Sequence, residues 1–110
     1  MNAMKNTVQL IGHVGNDPEI KTFDGGKKVA NITIATNEVY YKENGDKVEQ
    51  TEWHKVVAWG KTAEIIEKYV TKGKEIGIEG KLTHRSYDDK NGEKRYVTEV
   101  VANEVLLLGK

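Results

Sequence analysis

The sequence predicts an all-β domain in the main. It is a five-stranded barrel with one helix between the third and fourth strands and long β-hairpin loops. Three observations predict it. Five β-rich runs alternate apolar and polar residues with a period of two. Glycine steps at Asp24-Gly25-Gly26, Asn44-Gly45-Asp46 and Asn91-Gly92 fall between those runs and read as hairpin tips. One segment alone breaks the alternation with a helical period.

The first run spans Thr7 to Val14 and ends before Asp17-Pro18, because proline cannot donate in a strand ladder. Gly12 and Gly15 within or just after it predict a bend or the close approach of another backbone. The second run is Val29 to Val39 and the third is Thr51 to Trp59. Thr62 to Val70 then places Ile65, Ile66, Tyr69 and Val70 on one side of a helix. Glu64 and Lys68 make a favourable pair on the other side. Lys72-Gly73 is the predicted stop, with glycine as a left-handed cap. The fourth run is Glu75 to Tyr87, with Ile76, Ile78 and Leu82 facing the core. The fifth is Arg95 to Leu108. Tyr69 and Tyr96 are expected in the core, and Phe23 has no clear side. The order β-β-β-α-β-β is that of the OB-fold, a Greek-key barrel.

All 110 residues read as a single OB-fold domain, 1–110, with a small core. Residues 1–4 are expected to be a disordered N-terminus, with Met4 a candidate natural start. Apolar content of 37% beside 31% charged residues describes a globular protein with a highly charged surface. The longest apolar run, Val105 to Leu108, is far too short for a membrane span. No signal or transit pattern is read and cysteine is absent, so a cytoplasmic location is expected. The 17 basic and 17 acidic residues cancel, which argues against a binder that relies on bulk charge alone.

Chemistry is sparse. His13, His54 and His84 lie on separate strands without metal-ligand spacing. Ser86 lacks a nucleophile-elbow context. Phosphate loops and dinucleotide fingerprints are missing. Asp88 and Asp89 point apart if the strand continues, which suits acid–base work poorly. The chain is therefore read as no enzyme, with no cofactor and no metal.

The informative stretch is Glu52 to Lys61. Alternation puts Trp53, Lys55, Val57 and Trp59 on one strand face, and Val56 and Ala58 on the core side. Two indoles about 20 Å apart, at about 3.3 Å per residue, leave room for more than one nucleotide. Aromatic faces stack bases and the interleaved lysine holds phosphate. Tyr40, Tyr41 and Tyr87 lead into hairpins that carry lysines, as arms extending such a surface would. The same barrel could instead serve as a protein adaptor, its indoles filling pockets on a partner. Lys55, Lys61 and Arg85 among the aromatics favour nucleic acid.

Several blocks resemble bacterial single-stranded DNA-binding protein. They are Asp17-Pro18-Glu19, Val29 to Thr36, Glu49 to His54, Gly60-Lys61, Lys72-Gly73, Ile78 to Leu82 and Arg95 to Val100. The likeness covers about residues 5 to 108. It implies an OB-fold homotetramer that binds and protects single-stranded DNA without sequence preference, in replication, recombination and repair, in the bacterial cytoplasm at the nucleoid. Positions matching the family's DNA-contacting aromatics are Tyr40, Trp53, Trp59 and Tyr87. Relatives often carry tryptophan at the first and last of these and phenylalanine at the third. Matching basic positions are Lys21, Lys55, Lys61, Lys72 and Arg85. Thr33 lies on the matching strand surface, and Lys5 falls near the family's basic N-terminus. Thr83 stands where relatives often have arginine. His54 matches a position of subunit association. Relatives continue into a disordered linker with an acidic tip that recruits replication and repair partners. This sequence stops at Gly109-Lys110, so those partners are not carried over.

Overall fold

The computed structural model describes residues 3–108. The elements are a 3-10 turn (Ala3–Asn6), β1 (Val8–Val14), β2 (Glu19–Thr22), β3 (Lys28–Tyr41), β4 (Lys47–Trp59), α1 (Gly60–Tyr69), β5 (Glu75–Asp88) and β6 (Lys94–Leu107). The sheet runs β1-β5-β6-β4-β3 and closes through β1 against β3 at His13↔Ala35 and Val14↔Ile34. β4 and β6 meet in parallel, at Val56↔Val100 and Val57↔Val101. The other ladders are antiparallel. This is the five-stranded OB-fold barrel, with its helix ahead of the fourth barrel strand, β5.

β2 is the addition that sequence alone did not indicate. It pairs with Lys28 to Asn31 of β3, on the same edge that β1 occupies at Ile34 and Ala35. β1 and β2 thus act as one barrel strand, bent at Asp17-Pro18. The bend is short and polar, so no apolar alternation announces it.

The inward residues of each strand build the core. Ala30, Ile32 and Ile34 of β3 meet Val56 and Ala58 of β4, Ile76 and Ile78 of β5, and Val100 and Ala102 of β6. Two glycines let backbones approach closely. A Cβ at Gly12 would overlap the Ala35 carbonyl across the closing seam, and one at Gly80 would overlap the Val101 carbonyl. Gly80 also marks the register shift in the β5–β6 ladder. Three hairpins turn as expected, on left-handed Gly25 and Gly26, Gly45 and Gly92.

α1 buries Ala63, Ile66 and Val70 against the barrel. Ile65 and Tyr69, expected on the buried side, are 40% and 47% exposed. The buried stripe is narrower than the apolar one, because the small barrel end covers about one ridge of the helix. Lys28 Nζ donates to Glu67 Oε1 at 2.7 Å, tying α1 to the start of β3. That hydrogen bond, then the Glu67 charge, holds the Lys28 ammonium above its ordinary pKa. Gly73 is left-handed as expected, but it does not cap the helix. Val70 takes that position, and Gly73 N–H donates to the Val14 carbonyl at 2.7 Å.

The strands run longer than their apolar patterns. β3–β4 and β5–β6 continue past the barrel as two-stranded arms. The radius of gyration is 16.1 Å, against about 13 Å for a compact domain of this size. Beyond the barrel no core lies beneath the ribbon. Tyr96, expected in the core, is therefore 79% exposed, and Leu82 is 38% exposed. Of the expected N-terminal disorder, residues 1 and 2 lie outside the described residues. Ala3 and Met4 belong to the 3-10 turn, and the Asn6 amide fastens that turn to β5. Asn6 Nδ2 donates to the Leu82 carbonyl at 3.0 Å, and Leu82 N–H donates to Asn6 Oδ1 at 2.9 Å.

Candidate nucleic-acid interface

The outward face of β4 forms the spine of the site. The unbroken β3–β4 register sets Trp53 opposite Ala35, Lys55 opposite Thr33, Val57 opposite Asn31 and Trp59 opposite Val29. Ala35 and Thr33 are small and leave Trp53 and Lys55 uncovered, whereas Val57, between them and Trp59, is buried. Trp53 is 63% exposed and Trp59 45% exposed. The alternation read from the sequence is the one observed.

An open groove beside this spine brings together Lys21, Thr33, Lys55, Arg85 and Tyr87. β2 contributes the first, β3 and β4 the next two, and β5 the last two. Asn16, in the β1–β2 bend, organises the groove floor. Its Oδ1 accepts from Thr33 N–H and from Thr33 Oγ1, each at 2.8 Å. Gly15, one residue earlier, lies under the Trp53 indole. Neither contact can be read from spacing, since both join a loop to a strand through space.

Arg85 is more constrained than a free phosphate ligand. Its Nε donates to Glu99 Oε1 at 2.8 Å, and its guanidinium carbon sits 5.8 Å from the Tyr87 ring centroid. The hydrogen bond to Glu99, then that carboxylate's charge, raises the Arg85 pKa above its already high ordinary value. The Glu99 side chain is only 11% exposed, whereas that of Arg85 is 56% exposed. Glu99 therefore anchors from below, and the outer guanidinium edge is left to the groove. Glu19 also lines the groove. Three cations thus face two carboxylates, which leaves a small positive excess.

The remaining residues singled out from the sequence do not line this groove, and all but His54 are exposed. Lys61 lies in the first turn of α1, two residues after Trp59. Lys72 follows α1, where its backbone N–H donates to Asp17 Oδ1 at 3.1 Å. Lys5 sits in the 3-10 turn held by Asn6. Tyr40 is 51% exposed on the β3–β4 arm, opposite Val48. By alternation it shares the ribbon side of His54, whereas Tyr41, 69% exposed, shares that of Trp53. A second hollow adjoins Trp53 and Lys55 and is lined further by His54, Leu82 and Tyr96. His54 is half-buried, with Nε2 2.9 Å from Thr36 Oγ1. At the far end of β4 the Trp59 indole is stacked on Phe23. Among the described residues no group of His, Cys, Asp and Glu is arranged to hold a metal ion.

The profile of the Single-strand binding protein family matches residues 5–108, the barrel and both arms. The chain belongs to this family. It is 49% identical over 105 residues to single-stranded DNA-binding protein 1 of Chlorobaculum tepidum, covering 94% of this chain and 65% of that one. It thus spans just under two thirds of that relative's length. It is 43% identical over 109 residues to single-stranded DNA-binding protein 1 of Xylella fastidiosa, covering 98% of this chain and 80% of that protein. Among solved structures it superposes on a Plasmodium falciparum SSB in complex with ssDNA, with a TM-score of 0.87 and 32% identity. That match covers 94% of this chain and 95% of the other. The barrel is therefore the family's scaffold.

Proposed function

We propose that this chain binds single-stranded DNA without sequence preference, by stacking bases on exposed aromatics and pairing phosphates with lysine and arginine. The observation that carries the reading is the outward face of β4. Trp53, Lys55 and Trp59 lie in one row there, beside the groove of Lys21, Thr33, Arg85 and Tyr87. Every base has a π-face, so stacking is indifferent to sequence, while duplex DNA hides those faces. Membership of the family and the names of the relatives support the same activity. Binding without chemistry is the whole of it, in replication, recombination and repair, and in the bacterial cytoplasm.

The active form in this reading is a homotetramer. Its support is an apolar patch on the outer face of β1, β5 and β6, away from the groove. Ile11, 62% exposed, and Leu106, 60% exposed, flank Gly77 in register. Both side chains approach the space where a Cβ of Gly77 would stand, at 3.5 and 3.6 Å. His54 is not part of this patch. It lies on the inward side of β4, so its contribution to assembly would run through the hollow beside Tyr96.

Titration with oligo-dT, followed by intrinsic tryptophan fluorescence, tests the reading. Saturable quenching by the single strand and far weaker binding of the duplex are expected. Equal affinity for both, or no quenching, would overturn it. Light scattering tests the assembly: a monomer mass at micromolar concentration would count against the tetramer.

A further inference from the structure

We propose that the tip of the β2–β3 hairpin supplies a further nucleobase subsite. Phe23 is its stacking surface, Trp59 is the ring behind it, and Lys27 is the cation for the adjoining phosphate. This rests on the single-strand binding proposed above.

The Phe23 and Trp59 rings are stacked, with centroids 6.2 Å apart and planes inclined by 22°. Lys27 Nζ stands 5.9 Å from the centroid of the same indole. Trp59 thus has a ring and an ammonium already against it, and a base arriving from solvent meets less of its face than the alternation of β4 implies. The next π-face outward is Phe23, 48% exposed. Phe23 stands at the hairpin neck outside the buried core, with its ring against Trp59.

The backbone fixes this arrangement. Phe23 N–H donates to the Lys27 carbonyl at 2.7 Å, and Gly26 N–H donates to the Phe23 carbonyl at 3.0 Å. Phe23 and Lys27 are therefore cross-strand neighbours at the neck of the turn, and both reach Trp59. The subsite is continuous with the groove. Val29 pairs with Lys21 on one side and Trp59 on the other, so the outward row runs from Lys21 across to the indole. Lys21 in turn lines the groove. A strand leaving Lys55 and Lys21 meets Phe23 next.

Photo-cross-linking with an oligo-dT carrying 5-iodouracil reads the contact directly. Tryptic cleavage after lysine puts Phe23 and Trp59 in separate peptides, residues 22–27 and 56–61. Cross-linked base on Phe23 is expected. Phe23→Leu, which keeps an apolar group against Trp59, should lower affinity roughly 5- to 150-fold, the equivalent of one base stack. Phe23→Trp should restore it. Lys27→Gln should flatten the slope of log K against log salt by about 0.7, the share of one phosphate on a single strand. Cross-linking confined to Trp59, or an affinity unchanged in Phe23→Leu, overturns the proposal while wild-type binding stands. Absence of wild-type binding overturns the functional reading itself.

Discussion

The indole of Trp53 rests on Gly15. A methyl group at position 15 would overlap Cζ3 of the ring, stand 3.3 Å from Cε3, and crowd Thr33 Oγ1 at 2.7 Å. The exposed ring is therefore seated by a residue with no side chain. Gly15 does not adopt a left-handed conformation, so alanine fits the backbone but not the space. Gly15→Ala should leave the fold intact by circular dichroism, shift tryptophan emission, and weaken oligo-dT binding by up to about 1–3 kcal/mol, one stacked base. Unchanged emission and affinity would show that the seat is irrelevant.

Trp53 itself should carry a full stacking contribution. Trp53→Ala is expected to cost about 1–3 kcal/mol, a range measured on single-strand binders themselves, and Trp53→Phe distinctly less. With the ring 63% exposed, neither change should lower the melting temperature appreciably. A large loss of stability in Trp53→Ala would return the ring to a packing role.

Glu99 limits the cation it anchors. Glu99→Gln keeps an acceptor for Arg85 Nε but removes the charge beneath the groove. Oligo-dT affinity at low salt should rise, and the salt slope should steepen by about 0.7, as one more phosphate is neutralised. Arg85 is open to solvent but Glu99 is nearly buried, so stability should fall, by up to the ~1.5–3 kcal/mol of a hydrogen bond to a charged group. An unaltered slope would mean that Arg85 meets no phosphate.

Asp89 sets the acid limit of the β5–β6 hairpin. Its carboxylate accepts from Arg95 Nε at 2.8 Å, Asn91 N–H at 2.9 Å and Glu93 N–H at 3.0 Å. The Arg95 bond first, then the Glu93 amide, holds its pKa below the ordinary 3.8. A carboxyl with a lower pKa folded than unfolded stabilises fully above the unfolded value. That contribution fades as pH falls through 3.8 towards the folded value. Protection factors of the Asn91 and Glu93 amides, each referred to the intrinsic rate at that pH, should fall over that interval, and Asp89→Asn should show lower protection already at neutral pH. Protection indifferent to both would remove Asp89 as the tie.

Salt dependence follows from the groove. Lys21 and Lys55 in the groove and Lys27 at the hairpin tip are its cations, Arg85 being offset by Glu99, so a slope of about −2 per subunit is expected at about 0.7 per phosphate. A much steeper slope would place Lys5, Lys61 and Lys72 on phosphate as well.

Strand alternation made much of this legible. Trp53, Lys55 and Trp59 had to share a face if that segment was a strand, and Val56 and Ala58 had to oppose them. The hairpins were legible because left-handed turns demand glycine. Tyr69 and Tyr96 are apolar enough to imply burial, but the helix sits on a small barrel end and β6 outruns the core. The β1–β2 bend, and with it Gly15 and Asn16, left no periodic trace. Neither did the Glu99–Arg85 pair or the Phe23–Trp59 stack, because residues far apart in sequence make these contacts.

The arms change what kind of template the site is. Trp53, Lys55 and Trp59 keep their spacing because a barrel stands behind that part of β4. Tyr40, Tyr41 and Tyr96 ride on ribbons held only by their own pairing. One end of the surface is backed by a core and the other by strand pairing. On the proposed function, a strand of mixed purines and pyrimidines, uneven in step and width, would be gripped at the backed part and followed along the ribbons. Indifference to sequence would then reside as much in the ribbons as in the chemistry of the rings.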